Sequence, residues 1–293
     1  MFDYRYHALS LAAVLFALAV GVLIGVAIGD SNLVSSARDG IVASLRSEVS
    51  GSQHEISQLG GRLSEEETVA NDLYPVTVRG LLRERNIGLV FLGDSSDQVD
   101  ELVRNAVTQA GGSVKMVVAV REPLDLAGIA GQATGTQYTA LASSPLDPAL
   151  PRKFGVRMGD QLIRGGQLLG RVQSRLLSSY DGEYGKLDGL VVLRSDPAGA
   201  SGEQSSGAAA FDAGLVHGVE AQGIPVVGVE LSSTQPSQVP WYKSEDMASV
   251  DDLDGLAGRA ALAFALAGDH GAYGVKPTAD SLLPHVVSST AQP

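Results

Sequence analysis

One place in this sequence would suit a nucleophile. The compact apolar run Ile87–Leu92 ends on Gly93-Asp94-Ser95, and a serine at the end of a strand can attack a carbonyl if a general base takes its proton. The base is hard to find. His7, His54, His217, His270 and His285 are scattered, with no H-x-x-x-H or H-x-H pair that would serve a metal. Met1, Met116, Met158 and Met247 form no methionine-rich run for Cu(I). With no cysteine, thiolate ligands, cysteine nucleophiles and disulfides are excluded together. Asp269-His270, Glu245-Asp246 and Asp251-Asp252-Asp254 could hold a cation transiently, but acidic runs of this kind read as solvated faces. No G-x-G-x-x-G follows the first apolar run, and no G-x-x-x-x-G-K-[ST] occurs, so a nucleotide site has no sequence signature.

Gly93-Asp94-Ser95 resembles the first block of GDSL-type serine hydrolases, which place these residues after their opening strand. The resemblance implies Ser95 as nucleophile and a late D-x-x-H block as base. None of His217, His270 and His285 has an aspartate three residues upstream. A strand-to-helix turn in which Asp94 or Ser95 caps the next helix accounts for the same residues.

The elements that would position these groups follow from hydropathy. Ile87–Leu92, Val114–Val120, Leu187–Leu193 and Ile224–Val229 read as strands, with Met247–Val250 as a short fifth. Gln98–Ala110, Val156–Tyr180, Ser206–Gln222 and Leu253–Ala267 read as helices between and after them. Strands apolar on both faces that alternate with helices imply a mostly parallel, doubly covered sheet. The expected fold is α/β, a Rossmann-like domain over residues 85–270. The polar, Gly-rich stretch Ser195–Ser206 falls at a strand's carboxyl end, where open α/β sheets bind ligands. Residues 271–293 read as an irregular C-terminal tail.

Two segments precede that domain. Leu9–Gly29 carries no charge over 21 positions, the length needed to cross a bilayer, so residues 1–30 are expected to be an uncleaved transmembrane anchor. A signal peptide is the rival reading, but its apolar core is shorter and its start more basic. Ala13, Ala17, Gly21, Gly25 and Gly29 recur every four residues and define a face on which two such helices can pack closely. Residues 31–84 read as a helical coiled-coil stalk. A heptad frame there places Val42, Leu45, Val49, Ile56, Leu59, Leu63, Ala70 and Leu73 at a and d positions, with Ser35, Arg38, Ser52 and Glu66 as polar exceptions. Gly40, Gly51, Gly60 and Gly61 each cost about 1 kcal/mol in a helix, so the stalk needs a partner. That partner is either a second copy or the chain's own α/β domain. Pro75 is expected to mark the break before the next unit, or a kink in a continuing helix. Arg5 before the span and Arg38 after it leave orientation unsettled by charge.

The chain has 293 residues and a net charge of −12, which speaks against nucleic acid as a partner. The opening MFDYRYHALSLAAVLFALAVGVLIGVAIGD, the Leu-rich stalk and the late segment from Tyr273 to Pro284 (YGVKPTADSLLP) together resemble the actinobacterial MctB family of copper-transport proteins, which includes SteB-like envelope proteins. The resemblance covers essentially the whole chain. It implies a single-pass anchor in the cytoplasmic membrane, an α/β domain outside the cytoplasm, and a role in copper efflux or in envelope assembly with a partner protein. Residence in the outer membrane is the lesser expectation. No ligand residue comes with the resemblance, so copper has no assignable site and no cofactor is expected. A pore would need a closed barrel or several spanning helices, which this sequence does not offer. The expected function is therefore a non-enzymatic, membrane-anchored envelope protein that binds partner proteins and affects copper homeostasis, dimeric through the anchor and stalk. Direct copper transport is the first alternative and hydrolysis at Ser95 the second.

Overall fold

The computed structural model describes residues 4–28, 31–143, 148–195 and 202–284. Residues up to Thr68 and residues from Val69 onward form two separate compact units. In the first, helix α1 (Tyr4–Ile28) is apolar on all sides. Its stretch Tyr4–Ala27 has a mean hydropathy of 2.7 and none of it is buried, and it alone among the described residues is long and apolar enough to cross a membrane. Helix α2 (Ser31–Val78) follows and runs through its four expected glycines and through Pro75, so the proline does not end it.

The second unit is built on a seven-stranded sheet: β1 (Asn86–Leu92), β2 (Ser113–Val120), β3 (Leu177–Gly182), β4 (Gly189–Arg194), β5 (Val226–Val229), β6 (Ala248–Val250) and β7 (Ala272–Tyr273). The spatial order is β3-β2-β1-β4-β5-β6-β7, and every pairing is parallel except β2 with β3. The helices are α3 (Asp97–Gln109), α4 (Leu126–Gln132), α5 (Ala149–Arg164), α6 (Gln167–Leu176), α7 (Gly202–Glu220), α8 (Val239–Ser244) and α9 (Leu256–Ala267), with a 3-10 turn at Gln137–Ala142. This is an α/β fold with a mostly parallel, open sheet.

Strand alternation divides the core into two layers. Ile87, Leu89 and Phe91 of β1 pack with Val103 and Val107 of α3 and with Leu262 and Leu266 of α9. Val90 and Leu92 point to the other face and pack with Phe154 and Met158 of α5 and Phe211 and Leu215 of α7. Helices α5 and α7 cross with backbones nearly touching. A Cβ at Gly155 would strike the Phe211 carbonyl oxygen and one at Gly159 that of Leu215, while Gly214 and Gly218 meet the carbonyls of Arg152 and Val156 in the same way.

Three expected elements differ. The single helix over Val156–Tyr180 is two helices and a strand: Gly165, at φ +71°, ends α5, and after α6 the chain turns into β3. The unit also begins ahead of residue 85, because Tyr74, Val78 and Leu82 are buried among the side chains of β1, α3 and α9. Finally, residues 271–284 are not a free tail. They supply β7, and a bridge from Tyr273 to Ser281 extends the sheet's edge.

Candidate functional site

The chain leaves β1 toward β2 on one side and returns to β4 on the other, so the carboxyl ends of β1 and β4 flank the point where an open α/β sheet offers a crevice. The expected Gly93-Asp94-Ser95 turn lies there. Gly93, at φ +114°, makes the turn, and a Cβ on it would come 2.9 Å from a Glu122 carboxylate oxygen and 3.1 Å from the Ser195 side chain. Asp94 and Ser95 are exposed. Neither caps the next helix: Ser96 does, its hydroxyl accepting from the Val99 N–H at 3.3 Å. Among the described residues no imidazole bonds Ser95, and His217 is taken up by Glu220 at 3.3 Å and Glu245 at 3.1 Å. Of the stretch Ser195–Ser206, residues 196–201 lie outside the described residues.

Behind the turn sits a polar cluster that a sequence reading does not single out. Arg194, the last residue of β4, places its guanidinium 3.5 Å from Asp212 of α7, with each side chain 13% exposed. The same guanidinium donates to Gln238 Oε1 at 2.6 Å and lies 4.9 Å over the Trp241 ring. Burial pushes the Asp212 carboxyl up to about 7; Arg194 opposes this and the nearby Glu122 reinforces it. Asp212 therefore exchanges a proton near neutrality. The cavity bounded by Gly93, Glu122, Phe211 and Asp212 is about 10 Å³, the scale of one water. Glu122 and Asp212 stand beside Arg194 at the place where a dinucleotide-binding fold would receive a pyrophosphate.

A second cluster lies at the carboxyl ends of β5 and β6. Lys276 Nζ, 9% exposed, donates to Glu230 Oε1 at 2.6 Å and to the carbonyls of Leu231 and Thr234, both at 2.9 Å. All three ammonium protons are thus satisfied. Glu230, 1% exposed, also accepts from the Ser237 hydroxyl at 2.7 Å and from the Gln238 N–H. Asp251 accepts from the Val275 and Lys276 amides at 2.8 and 3.1 Å, and Lys243 meets Asp280 at 2.7 Å. Desolvation, reinforced by Asp251 and Asp254, pushes the Asp252 carboxyl up to about 6. Asp251 and Asp252 are thus buried while Asp254 stays exposed on Ser232, and Asp251, with Glu230 and Lys243, fastens the segment Tyr273–Pro284. The overlooked signal is a charged residue that ends a buried strand or directly follows it, as at Arg194, Glu230 and Asp251.

The residues expected to pair two copies lie on the first two helices. Ala13, Ala17, Gly21 and Gly25 are exposed on α1, and nothing approaches a Cβ built at Gly21 or Gly25. Gly29 lies outside the described residues. Val49, Ile56, Leu59, Leu63 and Leu73 are exposed on α2, each to between 51 and 68%.

A family described as copper transport outer membrane protein, MctB, matches residues 1–284, from the apolar helix through the segment that Lys276 fastens. The chain belongs to the MctB family. No match is found among curated proteins. MctB is described by copper transport and not by a catalysed reaction, and the apolar α1 fits membrane attachment. Soft Cu(I) favours thiolate and thioether ligands, yet Met116, Met158 and Met247 are buried in the apolar core. Among the described residues no group of three or more His, Asp or Glu is arranged to hold a metal.

Proposed function

We propose that this MctB protein works by binding other proteins and not by catalysis. It is a parallel homodimer, joined through the small-residue face of α1 and the heptad seam of α2. Its α/β domain, which we read as Rossmann-like on the strand order about β1, stands outside the cytoplasmic membrane and presents itself to an envelope partner. Copper homeostasis is affected through the envelope and not through a copper site on the chain.

The observation that carries this reading is the row of exposed apolar side chains on α2, at Val49, Ile56, Leu59, Leu63 and Leu73. Burying a side chain of this size contributes roughly 1.5–3 kcal/mol, so five per chain, paired with five on a second copy, offset the cost of the stalk glycines. The shared polarity and proximity imposed by membrane attachment favour the parallel arrangement.

Disulfide crosslinking tests the proposal cleanly because the chain has no cysteine. Leu59→Cys and Leu73→Cys should each form a same-site crosslink in native membranes. Adding Ile56→Asp and Leu63→Asp should abolish both while leaving the α/β fold intact. Absence of both crosslinks in a folded protein would reject the parallel seam. Saturable sub-micromolar Cu(I) binding by the purified full-length protein would instead favour direct copper transport.

A further inference from the structure

The chain is acidic as a whole, and one stretch of it is the reverse. Between Ala149 and Leu176, helices α5 and α6 carry Arg152, Lys153, Arg157, Arg164, Arg171 and Arg175 against a single acid, Asp160, a local charge of +5 in a chain of −12. All six basic side chains are exposed. Their apolar neighbours Phe154, Met158, Leu162, Leu169 and Val172 face inward, so the two helices turn their cationic sides outward together. A random surface distribution in so acidic a protein would intersperse acids among these positions to relieve repulsion. The one that is present, Asp160, is engaged by Arg157 at 3.0 Å and by Arg164 at 3.5 Å, while Arg152 meets Glu245 at 3.7 Å and Arg175 meets Asp125 at 3.5 Å on neighbouring elements, so the cationic excess is carried by Lys153, Arg157, Arg164 and Arg171.

The surface here is concave. An open cleft of about 410 Å³ is lined by Tyr138, Lys153 and Arg157. The next, about 460 Å³, shares Tyr138 and Arg157 and adds Arg164 and Arg171. A third, about 490 Å³, shares Arg164 and adds Lys186. The clefts are therefore contiguous around α5, and each is walled by at least two cations. Arg157 and Arg164 stand seven residues apart on one helix, two turns or about 10 Å along its axis. A single small anion cannot reach all of these groups, whereas a chain that carries repeated anionic groups can.

We infer that the α5–α6 face is a binding groove for a linear, phosphate-bearing polymer. Arginine supplies five of the six cations, and its planar fork matches phosphate oxygens two at a time. A flat bilayer would not enter three successive clefts. Arg clusters also recognise acidic polypeptides, so an acidic polypeptide is the competing occupant that the test must exclude; the clefts mix Arg, Lys, Gln, Asp and Gly with apolar Val156, Ile163, Leu187 and Ile224. This groove is distinct from the α2 seam and from the crevice at Gly93.

The test is binding of fluorescently labelled inorganic polyphosphate of defined length to the full-length protein in uncharged detergent, read by anisotropy. Binding should weaken steeply as salt rises. Substituting Arg157→Gln, Arg164→Gln and Arg171→Gln together should reduce affinity by at least about tenfold, with the thermal melt of the α/β domain retained. Arg46→Gln, Arg62→Gln and Arg79→Gln, exposed cations outside the groove, should leave binding unchanged. Equal binding by wild type and the groove variant would overturn the inference. So would equal competition by polyglutamate, which would assign the face to an acidic polypeptide. Groove-dependent binding to phosphatidylglycerol vesicles without polyphosphate binding would assign it to a lipid surface and likewise overturn it.

Discussion

Lys276 and Glu230 are 46 residues apart, and their contact shows how a charge can be tolerated in a nearly dry place. Each is fully hydrogen-bonded, so removal of one strands the other. Lys276→Met should destabilise the protein by about 3–5 kcal/mol, read as a large drop in melting temperature, and a second change, Glu230→Gln, should recover much of the loss. Asp212 makes a different prediction. Its native carboxyl keeps a proton up to about pH 7, whereas the unfolded one releases it near about pH 4. Between those values the native state binds more protons, so this group's contribution to stability is greatest in acid and declines as pH rises toward 7. Asp212→Asn, which mimics the protonated acid, should flatten that decline in melts taken from pH 4.5 to 8. An unchanged slope would mean that Asp212 is ionised against Arg194 throughout. Neither pairing was legible in the sequence. Arg194, Glu230 and Asp251 each follow an apolar run, which marks them as strand-end residues, but nothing in their spacing says which charge meets which.

Among the elements, the helix crossing of α5 on α7 carries the sharpest expectation. Gly155 and Gly214 each face a carbonyl oxygen of the other helix, so Gly155→Ala or Gly214→Ala must push the backbones apart, at a cost of about 1–3 kcal/mol or more. Gly170 on α6 has open space around it, and Gly170→Ala should stabilise by about 0.4–1 kcal/mol. Chemical denaturation of the three variants side by side checks both signs. The same four-residue glycine spacing stood out on α1 because its background is uniformly apolar. On α5 and α7 it is hidden among Arg157, Met158 and His217, where only the fold reveals its use. Strands β1, β2, β4, β5 and β6 were legible because burial on both faces leaves continuous apolar runs. Strand β3, with the sequence LSSYDG, is an edge strand with mostly exposed side chains and carries no such pattern. The helix cap was placed one or two residues early, because Asp94, Ser95 and Ser96 are all competent cap residues and local geometry selects the last.

For the whole molecule, the division at Val69 has an experimental consequence. A fragment that starts at residue 85 loses Tyr74, Val78 and Leu82 from the core and should melt lower and less cooperatively than one that starts at residue 69. Differential scanning calorimetry of the two fragments decides this, and equal melting would show that the end of α2 is dispensable. The two-part organisation, with an apolar helix ahead of an α/β domain, was plain from hydropathy. The boundary was not, since α2 runs on through Pro75, the expected break, and Tyr74 and Val78 keep the helical spacing of the preceding turns.

The fastening at Lys276 also bears on how the protein is made. Strands β5 and β6 are followed directly by Glu230 and Asp251; the counter-charge of Glu230 and the backbone donors to the Asp251 carboxylate arrive only with Val275 and Lys276. A nascent chain that has emerged as far as α9 therefore holds a sheet whose last edge is open and whose interior acids lack their counter-charge. It cannot settle until the final stretch is delivered. A ribosome that terminates early, anywhere before codon 276, releases a product marked as unfinished by its own exposed edge and unneutralised carboxylates, open to proteolytic clearance.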